Sequence, residues 1–271
     1  MKKFVFLLVL ILALSSCSEY NKVLNKGDVK SQYQLAEKLF KEEEYAKAMT
    51  LFEKVAPTFT KNAQLQRIRY MSAICDYKLK DYETASYRFN RFINNYPKSS
   101  KIENAYFLNA QSLFELSPRS SLDQKNTTKA LEALQTYLDL YPDSKNTEII
   151  NKQYKELTNK LNYKGYHIAY LYYKTEKYKT AIVAFDNYLS DFIGSKYKED
   201  ALFYKFKSSY MLAIKSVEYK KLARLKNAIK AQKRFIKYYP NSKKYSKEAT
   251  SLLEKINNEI EIINANTTAA K

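Results

Sequence analysis

Tryptophan is absent from this sequence, histidine occurs once, and there are only three glycines, five prolines and two cysteines. Each shortage excludes something. Without tryptophan the usual stacking platform for sugars is missing, which disfavours a glycan-capturing surface. The single histidine, His167, stands inside a helical pattern between Tyr166 and Ile168, where a lone imidazole packs or faces solvent rather than serving as base or ligand. No metal-ligand spacing, glycine-rich phosphate loop or nucleophile elbow is present. No catalytic residues, no metal and no cofactor are therefore expected, and the chain does not read as an enzyme. The scarcity of glycine and proline, with no alternating apolar segments, leaves no room for strands and hairpins of strands. Two cysteines, Cys17 and Cys75, do not make a disulfide framework.

Long apolar runs are also missing, except at the start. Met1-Lys2-Lys3 precedes an apolar stretch from Phe4 to Leu14 and then Ser15-Ser16-Cys17. A basic opening, a short apolar segment and small residues before a cut describe a secretion signal. The run is too short for a bilayer, which takes about 20 apolar residues. Leu14-Ser15-Ser16-Cys17 resembles the bacterial lipobox, where a thiolate accepts a diacylglyceryl group. Residues 1–16 are thus expected to be removed, with Cys17 lipidated and residues 17–28 forming a tether. Ser18 is not an aspartate, so no inner-membrane retention signal stands there, and outer-membrane sorting follows, with the body facing the periplasm. Two or three acyl chains anchor stably without a membrane-spanning helix.

Negative charge is in short supply. The net charge is +19, and it is uneven: residues 151–271 carry +14, whereas the mature chain before them carries +3. Such a surface could meet nucleic acid, anionic lipid or an acidic protein face. Secretion removes nucleic acid, and a simple lysine-rich solvated surface is the bland counterpart.

What is present is a repeat. Tyr45-x-x-Ala48-x-x-x-Phe52 recurs as Tyr82/Ala85/Phe89 and Tyr178/Ala181/Phe185, with weaker copies at Ala130/Leu134 and Ala228/Gln232. Small residues stand twelve positions upstream at Ala36, Ala73 and Ala169. Pro97, Pro142 and Pro240, each after a tyrosine, stop the second helices. Ser100 with Glu103 reads as a capping box for the helix that follows. Small, small, aromatic, proline in phase is the logic of the tetratricopeptide (TPR) repeat. The fold class is all-α: a superhelical array of about five TPR-like helical hairpins with a C-terminal capping helix. The key alanines lie 37, 45, 51 and 47 residues apart, longer than the usual period of about 34. A loop at Ser117–Ser121 lengthens repeat three, and a longer first helix lengthens repeat four. Phe206 falls where repeat five should have a small residue. Repeats one to three fill 29–143, repeats four and five and a cap at Lys243–Ile263 fill 144–263, and 264–271 is expected to be a disordered tail.

An outer-membrane-type lipobox followed by five such hairpins resembles the BamD family of β-barrel assembly lipoproteins. The endings Phe89–Ser99 and Phe235–Ser242, of the form Phe-Ile-x-x-Tyr-Pro-x-Ser, resemble that family in particular. The resemblance implies a non-catalytic scaffold whose partners are the outer-membrane barrel insertase, other assembly subunits and unfolded outer-membrane proteins. Its first helices would form a peptide-binding groove, with Tyr33, Arg67, Arg69, Tyr70, Tyr77 and Tyr106 as candidates, since tyrosine and arginine anchor interfaces. Its C-terminal half would dock an acidic partner through Lys220, Lys221, Arg224, Lys226, Lys230, Lys233 and Arg234. Repeat four lacks the Tyr-Pro that the family leads one to expect around Phe192–Lys198. A TPR lipoprotein organising peptidoglycan or cell-division proteins is the alternative.

Overall fold

A computed structural model describes residues 20–60 and 63–269, and all the regular structure in these residues is helical. Cys17 and the signal segment lie outside the described residues. The chain divides into two compact units, residues 1–157 and 158–271. The division falls inside one long helix rather than at the Pro142 turn, where the repeat count placed it.

In the first unit, residues 20–26 are helical. They lead into α1 (Val29–Lys41) and α2 (Tyr45–Val55), then α3 (Ala63–Lys78) with α4 (Tyr82–Asn95), and α5 (Ile102–Glu115) with α6 (Lys125–Leu140). The long α7 (Thr147–Lys174) follows. In the second unit come α8 (Tyr178–Asp191), α9 (Lys198–Ile214), α10 (Glu218–Tyr238) and α11 (Ser246–Ala269). α11 runs on through Asn264–Ala269, so the tail expected to be disordered is helical to within two residues of the end. At 28 residues, α7 is the extended helix that the spacing of repeat four called for.

The repeat residues pack as their sizes dictate. Ala36 and Ala48, Ala73 and Ala85, Ala110 and Ala130, and Ala169 and Ala181 are all fully buried. With only methyl groups at the crossing, paired helices approach closely, and the ridges of one settle into the grooves of the next. Phe52, Phe89, Phe185 and Phe235 fill the space between neighbouring helices, none of them exposed. Burying such a ring contributes about 1.5–3 kcal/mol. In repeat five Phe206 is itself fully buried, and the small residues come later, at the buried Ser208, Ser209 and Ala213. In mid-α7, a Cβ on Gly165 would meet the Phe192 ring at 2.9 Å. Glycine there admits the end of α8.

Three hairpins share one turn. The amides of Glu44, Asp81 and Lys177 each donate to a carbonyl five residues back (Leu39, Asp76 and Tyr172) at 2.9 Å. The residue before each, Glu43, Lys80 or Glu176, takes a left-handed backbone with φ of 63°, 63° and 58°. This is the Schellman closure of a helix end. The tyrosine that opens each second helix then packs on an aromatic five residues back: Tyr45 on Phe40, Tyr82 on Tyr77, Tyr178 on Tyr173.

The far end of each hairpin after the first is closed by a serine. Ser144 donates to Glu103 at 2.7 Å, Ser195 to Asn162 at 2.8 Å, and Ser242 to Glu199 at 2.6 Å. Ser99 accepts from the Gln66 amide in the same way. Each serine also accepts from a backbone amide two or three residues on, at Lys101, Asn146, Tyr197 and Tyr245. A polar residue of a first helix therefore latches the loop that leaves its own hairpin. Glu103 is used up in this way, reaching Tyr137 and Ser144. The expected Ser100/Glu103 capping box is accordingly replaced by Ser99, whose hydroxyl accepts from Lys101 at 3.2 Å. In repeat four, Ile193 stands where the proline would be, followed by Gly194 (φ 81°), and Ser195 keeps the latch.

Candidate binding surfaces

In the first unit, a groove between first helices is lined by Phe40 of α1, by Gln66, Arg67, Tyr70 and Ile74 of α3, and by Lys101 before α5. Arg67 stands at its edge, with Nε 2.7 Å from Glu37 Oε1 and the side chain 57% exposed. Tyr33 completes this edge: its hydroxyl donates to Glu37 at 2.8 Å and its ring lies 5.9 Å from Phe59. Burial, reinforced by the Glu37 hydrogen bond, pushes the Tyr33 phenol up to about 12, so it remains a neutral donor. A carboxylate entering here would have to share Arg67 with Glu37.

The structure does not gather the six candidate groove residues together. Tyr33 and Arg67 share a site, and Tyr70 borders it. Yet Tyr70 is only 9% exposed, its ring 5.3 Å from Phe92, and its hydroxyl accepts from Asn104. It is a core residue, and burial raises its phenol. Tyr77 is spent on Tyr82 at the hairpin turn. Tyr106 is half-buried and packs on Tyr141 at 5.9 Å. Arg69, two residues from Arg67, projects to the opposite side of α3, as helical geometry requires. There it lines a second cavity with Tyr87, Arg88 and Arg91 of α4. Arg91 stacks on Tyr87 at 5.7 Å, and Arg88 bridges Asp76 and Glu53. The residues missed were Glu37, Phe40 and Ile74 on one side, and Tyr87, Arg88 and Arg91 on the other. One signal was available: four of the chain's seven arginines, Arg67, Arg69, Arg88 and Arg91, fall on α3 and α4.

In the second unit, a groove between α8, α9 and α10 has an apolar floor of Ile182, Val183, Leu212 and Ala231. Lys179, Lys205, Arg224, Lys230 and Arg234 wall it. Its cations outnumber its acids; Asp186 pairs with Lys205 at 2.5 Å and with Arg234 at 3.2 Å. Of the seven basic candidates, Arg224, Lys230 and Arg234 belong to this groove. Lys221 does not: it pairs with Glu259 of α11 at 2.7 Å and is 17% exposed, so it holds the capping helix. Lys220 lies over Tyr219 at 5.0 Å, and Lys226 and Lys233 are exposed on α10. Arg224 reaches the Ser216 hydroxyl.

Among the described residues no cluster of metal-ligating side chains occurs, and none of their helices is long and apolar enough to cross a membrane. The profile of a family described as outer membrane lipoprotein matches residues 25–225 and 169–268. A prokaryotic lipid attachment site matches residues 1–18, whose cysteine is Cys17. The chain is 26% identical over 222 residues to a putative outer membrane protein assembly factor BamD of Aquifex aeolicus, covering 78% of this chain and 70% of that one. It is also 26% identical over 209 residues to the outer membrane protein assembly factor BamD of Rickettsia prowazekii, covering 77% and 79%. Among solved structures, a TPR-repeat protein of Bacteroides fragilis aligns with 90% of this chain and 99% of its own, at 17% identity and a TM-score of 0.41.

Proposed function

This chain belongs to the outer membrane lipoprotein family, and from that premise we propose that it works in outer-membrane protein assembly. It is a lipid-anchored outer-membrane protein with a non-catalytic, TPR-like body. In the proposed role it faces the periplasm, docks the barrel insertase and receives unfolded outer-membrane proteins. The observation that carries this reading is the family match, which runs through both units. The two grooves support a division of labour. The Tyr33–Arg67 edge, with Phe40 and Ile74 beside it, offers an aromatic and apolar bed with one guanidinium for an extended segment ending in a carboxylate. The groove at α8–α10 offers apolar floor and basic walls to an acidic partner face.

Co-purification from detergent-solubilised envelopes tests it. The barrel insertase should accompany the protein, and the triple variant R224E/K230E/R234E should lose it while keeping its helical content. Recovery of a peptidoglycan synthase in place of the insertase would refute the assembly role. Undiminished co-purification by the triple variant at low salt would reduce the basic groove to solvation.

A further inference from the structure

The region between the lipid site and the first repeat is expected from sequence to be a tether of a dozen residues, but most of it is built into the fold. Tyr20 and Leu24 pack against the core of the first hairpin. The buried Gln32 amide donates to the carbonyls of Val23 at 3.3 Å and Leu24 at 3.1 Å, and the Lys54 ammonium also donates to the Leu24 carbonyl. The described body therefore begins at Tyr20, with only Ser18 and Glu19 between it and Cys17. Three Cα steps reach at most about 10 Å.

The end of the hairpin held this near the lipid is basic. Lys22 and Lys26 are exposed on one face of the helix at 20–26, four residues apart. Lys30, exposed in the first turn of α1, and Lys54, held at the Leu24 carbonyl, stand at the same end. Lys22, Lys26 and Lys30 form no ion pair with any described residue, and the acid among them, Asp28, is engaged in capping α1 through Ser31 at 2.7 Å. At the other end of α1, about 20 Å away, stand the exposed Glu42, Glu43 and Glu44. Those three acids are matched there by Lys38, Lys41 and Lys47, the last paired with Glu44 at 3.2 Å, so the excess of positive charge in the first hairpin lies at the end toward the anchor.

We propose that the anchor end of the first hairpin, through Lys22, Lys26, Lys30 and Lys54, is a contact surface for the anionic phospholipid headgroups of the membrane that holds the acyl chains. A lipid anchor beside a basic patch is a two-signal attachment, and each lysine at an anionic surface favours contact by roughly fivefold. The acyl chains hold the protein at the bilayer; the lysines set how the first hairpin stands on it. The inference rests on the anchor and does not depend on the assembly role.

The experiment uses the full mature chain from position 17 with Cys17→Ser, so that no acyl chain contributes, and sedimentation with vesicles of phosphatidylcholine alone or with phosphatidylglycerol added. Binding should require phosphatidylglycerol, and K22E/K26E/K30E should weaken it at least tenfold at unchanged helical content. K226E/K230E/K233E alters net charge equally and should weaken it less than threefold. Equal losses in the two variants would mean non-specific attraction by a basic protein and would overturn the proposal. In a second arm, the lipidated chain sits in the same vesicles, and amide hydrogen exchange at residues 20–30 should slow when phosphatidylglycerol is present. No change there would overturn it as well.

Discussion

At the residue scale the most consequential position is Asp76 on α3. The residue is 6% exposed, and burial pushes its carboxyl up to about 6, with Arg88 pulling it down and Asp81 and Glu53 adding to the rise. Arg88 Nε lies 2.7 Å from Asp76 Oδ2, a charge contact rather than an aligned hydrogen bond. A carboxyl whose folded pKa exceeds its unfolded value near 4 takes up a proton on folding between those two values, so stability falls as pH rises through that window. Asp76→Asn removes the titration while keeping the shape. Its melting temperature relative to the parent should therefore be more favourable at pH 7 than at pH 4. A difference independent of pH would show that Asp76 titrates as an ordinary exposed acid. Tyrosine identity is the other lesson at this scale. Tyr70 and Tyr33 look alike in sequence, yet one is core and the other stands at a groove edge. A phenol suits both, since its ring packs and its hydroxyl needs only one partner, and Asn104 and Glu37 supply it.

At the element scale, the shared turn has a testable cost. Lys80 holds φ 63°, a left-handed conformation that costs a residue with a Cβ about 1–2 kcal/mol. Lys80→Gly should stabilise the first unit by about 0.5–1 kcal/mol after the greater unfolded-chain entropy of glycine is deducted. A denaturant midpoint that falls instead would mean that Lys80 is not left-handed. The hairpins were legible because their determinants are local: Ala36 with Ala48, or Ala73 with Ala85, sit twelve residues apart, and a helix fixes which face each occupies. The groove was less legible. Arg67 and Arg69 are close in sequence, but two residues along a helix turn a side chain to the far side. Glu103 has the spacing of a cap residue, whereas its partners Tyr137 and Ser144 lie 34 and 41 residues onward, a separation that no local pattern reports. Residues 20–26 carry no repeat signature, and only Gln32 and Lys54, reaching their carbonyls, reveal that they are part of the body.

At the scale of the whole molecule, two units with separate cores raise the question of whether they melt as one. Cys75, fully buried in the first unit, answers it from within. Burial, with the neighbouring Asp76 charge adding to it, pushes its thiol up to about 12. The reactive thiolate is therefore scarce at neutral pH and shielded from solvent as well. In the lipidated protein the Cys17 sulfur carries the acyl glycerol, so Cys75 is left as the chain's sole free thiol. A maleimide should then react on the timescale at which the first unit opens. Comparing its rate along a urea series with the loss of helical signal for the entire chain should yield one transition if the units are coupled and two if they are not. The cysteine that builds no disulfide thus becomes a chemical clock for one half of the molecule, already installed by the sequence.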